Sequence, residues 1–160
     1  MSLMSDPFEF YFSHSQFMVY DASVELPGCK WTEAHSRQGF ARRESTACLG
    51  ALLEFGHARV EVDTGPFVPR PEDERVISIP FFAKTGRVVV SGPEEDIMHL
   101  VRLGCGHRRL TVAQSVVNDE PESIRLTFER VDEPDPASRI LKSDPGWTPP
   151  STLLEDAEIA

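Results

Sequence analysis

Cysteine is scarce in this chain: Cys29, Cys48 and Cys105 are the only three in 160 residues, an odd number with no paired spacing. That excludes the disulfide framework of a small secreted domain and fits a reducing, cytoplasmic compartment. No apolar run is long enough to cross a bilayer, and the opening MSLMSDPFEF carries an acid where a secretory leader carries an apolar segment. Positive charge is short as well, with 16 Lys and Arg against 26 Asp and Glu and a formal net charge of −10. Such a surface is repelled by DNA, RNA and anionic lipid, so neither direct nucleic-acid binding nor membrane attachment is expected. It attracts a basic partner instead, and nucleic-acid-handling proteins are the commonest basic partners. Simple solubility explains the same charge.

Catalytic signatures are missing too. The chain has no phosphate-binding glycine loop, HExxH, paired CxxC or GxSxG. Its five histidines are dispersed. Cys105-Gly106-His107 offers two metal-ligand types, with Cys29 or Cys48 as a third, but the spacing is that of no zinc site. An enzyme would need Cys105 and His107 joined by a carboxylate, and nothing in the order of residues supports that. The chain therefore reads as a non-enzyme without metal or cofactor.

What is present points to a packed domain. Apolar residues make up 40% of the chain, and ten are Phe. Between Trp31 and Phe55, Thr32 is placed to N-cap a short helix running to Gln38, Glu33 suits its positive end, and Gly39 suits its left-handed exit. Leu49, Ala51, Leu53 and Phe55 then alternate with less apolar neighbours, as in a strand. Gly56-His57 predicts a tight hairpin into a second strand with Ala58, Val60 and Val62 inward. Further alternations appear at Phe8–Phe12, Phe17–Tyr20, Ile77–Phe81, Arg87–Val90, His107–Val117, Ile124–Phe128 and Arg139–Lys142, while Glu94–Leu103 is ambiguous between helix and strand. Pro80 favours a sheet edge or bulge. Thr64–Glu74, with three prolines, reads as a surface loop.

Short strands with Gly/Pro turns predict a mainly-β fold, an antiparallel β-sandwich with one short helix, over residues 5–144. Residues 145–160 read as a Pro-rich, acidic tail that drapes over the domain or stays disordered. The expected core is Phe10, Phe12, Phe17, Trp31, Leu49, Leu53, Val60, Ile77, Ile79, Val88, Leu110, Val112, Leu126 and Phe128.

Several blocks carry a family likeness: SHSQFMVYD (13–21), PGCKWTEAHSRQGFARRES (27–45), RVISIPF (75–81), VVVSGPEE (88–95), HRRLTVAQ (107–114) and SRILKSD (138–144). Together they resemble the competence protein J family over most of Phe10 to Asp144. Gln16, Phe17, Trp31, Thr32, Gln38, Gly39, Phe40, Arg42 and Arg43 stand in its distinctive pattern, and packing explains that pattern well. The family's best-known member inhibits a nuclease of DNA uptake. The resemblance thus implies a small non-enzymatic protein that binds and silences a nuclease, in competence or in immunity to a cell's own toxin.

For the partner surface, the acidic loops are the electrostatic candidates: Glu94, Glu95 and Asp96; Asp119, Glu120 and Glu122; and Asp132, Glu133 and Asp135. Solvated turns give the same clusters. The alternative function is a small-ligand-binding β-sandwich with Trp31, Arg42 and Arg43 lining its site.

Overall fold

A computed structural model describes residues 7–92, 98–116 and 121–160. In chain order the elements are β1 (Phe8–Phe12), β2 (Gln16–Asp21), α1 (Glu33–Gln38), β3 (Phe40–Arg43), β4 (Thr46–Gly50), β5 (Gly56–Asp63), β6 (Arg75–Ala83), β7 (Arg87–Ser91), β8 (Met98–Arg102), β9 (Gly106–Ser115), β10 (Glu122–Arg130) and β11 (Arg139–Lys142). They form a six-stranded sheet, β1-β5-β10-β9-β6-β11, and a five-stranded sheet, β3-β4-β2-β7-β8. The fold is mainly β, as the alternating apolar residues predict. Every neighbouring pair is antiparallel except β5 and β10, which run parallel with Ala58 opposite Glu122.

One apolar cluster lies between the sheets because each strand turns its in-phase residues inward. Phe10, Phe12, Phe17, Leu49, Val60, Ile79, Leu110 and Phe128 are among its fully buried members. Trp31 and Leu53, expected in that core, are only partly buried. Trp31 packs instead on a second cluster, Met18, Tyr20, Cys29, Ala41 and Cys48, formed by residues out of phase with the main core. That cluster lies on the outer face of the five-stranded sheet.

The expected hairpin at Gly56 is absent. β4 stops at Gly50 and belongs to one sheet, while β5 begins at Gly56 in the other. The chain crosses over between them. A buried carboxylate diverts it: Glu122 Oε1 accepts from the amides of Leu52, 2.8 Å, and Leu53, 2.9 Å. Pro80 pairs with Arg109 on the β9 side. Its missing N–H falls on the other flank, where β11 reaches only from Ser78 to Val76.

The proline-rich loop does more than connect strands. It lies over the outer face of the six-stranded sheet, where Arg125 Nη2 meets the buried Asp73 carboxylate at 2.6 Å and Nη1 donates to the Val68 carbonyl at 3.1 Å. At the end of the sandwich bearing the β6–β7 and β8–β9 turns, Gly86 has φ +81°, and a Cβ there would sit 2.4 Å from the Gly104 carbonyl carbon. Only glycine allows that backbone-to-backbone approach. Among the described residues no helix is long and apolar enough to cross a membrane.

Candidate partner-binding surface

The short helix is built by its ends. Thr32 Oγ1 accepts from the His35 amide at 3.3 Å, and the Thr32 amide donates to His35 Nδ1 at 3.1 Å, so His35 completes a reciprocal cap. With Nδ1 accepting, Nε2 is the protonated nitrogen and donates to the Asp156 carbonyl at 2.8 Å. Gly39, at φ 85°, ends the helix as expected.

This arrangement separates the motif residues into two groups. Phe17 and Phe40 are fully buried. Gln38, equally buried, donates to the carbonyls of Phe40 and Leu154 and accepts from the Leu154 amide. Gln16, Trp31 and Gly39 instead rim an open hollow of about 420 Å³ with His14, Ser15, Ser36, Gly50, Ala51 and Arg75. His14 and Ser15 on this rim adopt left-handed backbone, φ 58° and 53°, without being glycine. Bonds from the Ser15 amide to the Glu54 carbonyl, 2.8 Å, and from the Ala51 amide to the Ser15 carbonyl, 2.7 Å, hold the turn there.

Arg42 and Arg43 turn to opposite faces of β3, and Arg42 does not join Trp31. Arg42 is buried, which lowers its pKa; its Nη1 donates to the Glu155 carbonyl at 2.8 Å, and it lines a different hollow with Phe82, His107 and Arg109. The Arg43 guanidinium donates to the Leu26 and Gly28 carbonyls. The expected ligand site of Trp31, Arg42 and Arg43 is therefore not assembled. Both arginines serve the structure, because adjacent strand residues point to opposite faces.

Residues 145–160 are strapped across this side. Trp147 Nε1 donates to the Arg37 carbonyl at 2.8 Å and its ring lies under Arg75 at 4.4 Å. The Lys30 amide donates to the Glu158 carbonyl, and Ile159 bridges Cys29. Cys29 and Cys48 are buried beneath, whereas Cys105 is exposed, so the three thiols do not gather around His107.

The acidic candidates fare unequally. Glu94, Glu95, Asp96, Asp119 and Glu120 lie outside the described residues. Asp132 and Glu133 are exposed, and Asp135 is half-buried. The Ala137 amide and the Arg139 guanidinium, 2.7 Å away, lower the Asp135 pKa and keep it ionised. Glu122 is a correction: its side chain is 0% exposed and takes no part in a surface cluster. It shares the inward phase of Ile124, Leu126 and Phe128, and Gln114 donates to its Oε2 at 3.0 Å.

β8 supplies what the sequence reading missed. It is an edge strand of the five-stranded sheet, and Met98 and Leu100 on one of its faces are 56% and 52% exposed. Both stand directly after the Glu94–Asp96 cluster in the chain. Among the described residues β8 has one ladder neighbour, with His99 Nε2 against the Glu9 carbonyl at 3.0 Å on its other side, and such an edge with two exposed apolar side chains is suited to a protein partner. The alternation Met98, Leu100, Arg102 carried the signal, obscured by the helical spacing of Ile97, Leu100 and Val101.

The sequence matches the family model of Competence protein J (ComJ) over residues 9–130. No curated protein matches it. Among solved structures, ComJ from Bacillus subtilis, an inhibitor of the DNA degrading activity of NucA, superposes with a TM-score of 0.73 at 16% identity, covering 82% of this chain and 99% of that one. The protein of Crocagin biosynthetic gene J superposes with a TM-score of 0.56 at 12% identity, covering 79% and 97% respectively. At these identities the superpositions show a common fold.

Proposed function

The chain belongs to the competence protein J family, and from that membership we propose that it inhibits a DNA-degrading nuclease by binding it. The observation that carries the reading is the family match over residues 9–130, together with a fold shared with an inhibitor of that kind. Charge supports it. A nuclease cleft is basic to hold the phosphate backbone, so a partner of net charge −10 is steered toward it. In this reading the protein works in the cytoplasm and carries out no chemistry of its own. It covers the cleft and keeps substrate out.

The interface we propose centres on β8. Met98 and Leu100 act as apolar anchors, and Glu94, Glu95 and Asp96, which precede them in the chain, add charge; Asp119 and Glu120 are a second acidic candidate. Asp132, Glu133 and Asp135 form a separate acidic candidate. A stable complex buries about 1,200–2,000 Å², and a few desolvated anchors dominate its energy.

The test is a titration against the nuclease encoded nearest to its gene, following DNA degradation. Stoichiometric inhibition that weakens as salt rises is the expected result. Full nuclease activity in the presence of a micromolar excess of folded protein would overturn the proposal.

A further inference from the structure

Five cations gather at the end of the sandwich formed by the β6–β7 and β8–β9 turns, where the Asp21 carboxylate is occupied by the Thr85 amide at 3.0 Å. Arg87 on β7 stands opposite Arg102 on β8, and Arg108 on β9 stands opposite Arg130 on β10. Lys84 lies in the adjoining turn, before Gly86. Like charges directly across a ladder destabilise it. In a chain with ten surplus negative charges, internal carboxylates are abundant enough to neutralise them. Among the described residues, none of these five cations has a carboxylate within ion-pair distance; the ion pairs there use Lys30, Arg70, Arg75, Arg125 and Arg139.

Two of the guanidiniums converge. Arg108 is only 4% exposed, and its Nη2 donates to the carbonyls of Leu103, 2.6 Å, and Gly104, 3.2 Å. Its Nε is buried without a partner. At Gly104, with φ +86°, a Cβ would lie in contact with both guanidiniums, 3.7 Å from Arg108 Nη2 and 3.8 Å from Arg130 Nη2. Both guanidiniums thus come within 4 Å of one point beside Gly104, Arg130 with its fork exposed and Arg108 with the two Nη2 hydrogens held by the Leu103 and Gly104 carbonyls. Burial and then the Arg130 charge lower the Arg108 pKa, so the pair repel each other in the unliganded protein.

We propose that Arg108 and Arg130, over the bare face of Gly104 and flanked by Arg102, Arg87 and Lys84, bind a phosphate group. A tetrahedral dianion accepts hydrogen bonds from the exposed Arg130 fork, whose geometry matches it, and its charge relieves the repulsion between Arg130 and Arg108. The site is remote from the β8 anchors of the proposed nuclease surface: Ser91 and Met98 lie at the other end of the β7–β8 pair from Arg87 and Arg102, whereas the separate acidic candidate at Asp132 and Glu133 follows Arg130 in the chain. The phosphate comes from inorganic phosphate or from a mononucleotide, and the two sources share this chemistry.

The experiment titrates the full-length protein with inorganic phosphate, with a deoxynucleoside 5′-monophosphate and with the unphosphorylated nucleoside. Binding is followed by calorimetry and by the NMR shifts of the Gly104 and Gly106 amides. Saturable one-to-one binding of the phosphorylated probes, with shifts at those amides, is expected. R130Q, which removes an exposed side chain, should weaken it about tenfold, while R59Q, an exposed arginine on β5, leaves it unchanged. Tighter binding of the nucleoside monophosphate than of inorganic phosphate assigns the site to a nucleotide, and the reverse assigns it to the inorganic anion. No saturable binding, equal binding of the bare nucleoside, or equal loss in R59Q and R130Q would each overturn the proposal.

Discussion

Glu122→Ala is the most informative single perturbation of this fold. The carboxylate is fully buried and accepts three hydrogen bonds, from the Leu52 and Leu53 amides at 2.8 and 2.9 Å and from Gln114 Nε2 at 3.0 Å. Those amides belong to the crossover between sheets, so the side chain fixes where the chain leaves β4. Removing it takes the acceptor from two part-buried amides and one of two acceptors from Gln114, at roughly 1–3 kcal/mol for each donor left unsatisfied, and relieves a buried charge, which offsets part of that loss. We expect a net destabilisation of about 3 kcal/mol. Glu122→Gln keeps the shape and one acceptor oxygen but turns an amide toward the Gln114 amide, with an expected loss of about 1 kcal/mol. Burial raises the Glu122 pKa above its ordinary 4.5. A raised folded pKa gives a contribution that is present below pH 4.5 and is lost as pH rises through the folded value. Wild type should therefore gain stability relative to E122Q as pH falls toward 4.5. Urea denaturation followed by Trp fluorescence measures all three proteins. An E122A variant within about 0.5 kcal/mol of wild type at unchanged m-value would refute the assignment of the crossover to this carboxylate.

Three other outcomes are expected. Leu100→Ala should weaken the nuclease complex by about 1–2 kcal/mol while leaving the thermal midpoint unchanged, as measured by paired inhibition and melting assays. Deleting residues 153–160 removes the partners of Gln38, His35 and Arg42. It should cost about 2–4 kcal/mol and make Cys29 alkylate as readily as the exposed Cys105, read by mass spectrometry. The Cys48 hydrogen bond, outweighing burial and aided by Arg43, lowers the Cys29 pKa from 9.0 to about 7. A depressed folded pKa adds stability as pH rises from about 7 to 9, and the hydrogen bond to Cys29 and burial, which raise the Cys48 pKa, take stability away above that. Denaturation midpoints should show the rise, about 1–2 kcal/mol, in wild type and not in C29S.

Much of the fold was legible in local chemistry. Thr32 and Gly39 bracket α1 because an N-cap hydroxyl and a left-handed glycine act within a few residues. Ile124, Leu126 and Phe128 announce a strand because their period is two. The same period held the answer for Glu122, which is in phase with them, but its charge and the neighbouring acids suggested a solvated turn. Sheet membership was not legible. Alternation identifies strands and says nothing of which sheet receives them, so β4 and β5 read as a hairpin when they are divided between two layers. Arg42 and Arg43 are adjacent in sequence and opposite in direction, which broke the imagined site with Trp31. The cationic end is dispersed over β7, β8, β9 and β10, and only the registers bring it together.

The parallel pairing of β5 with β10 has a kinetic consequence. Ala58 meets Glu122 only after the long intervening chain has closed on itself, and that entropy is lost before the contact rewards it. β5 has β1 beside it on one flank and waits for β10 on the other. A nascent chain thus emerges from the ribosome with that flank bare, its amides and carbonyls unmatched, until β10 is synthesised. Folding should be slow and late. The interval in which β5 has only one neighbour is when this protein is most exposed to aggregation and most dependent on chaperones.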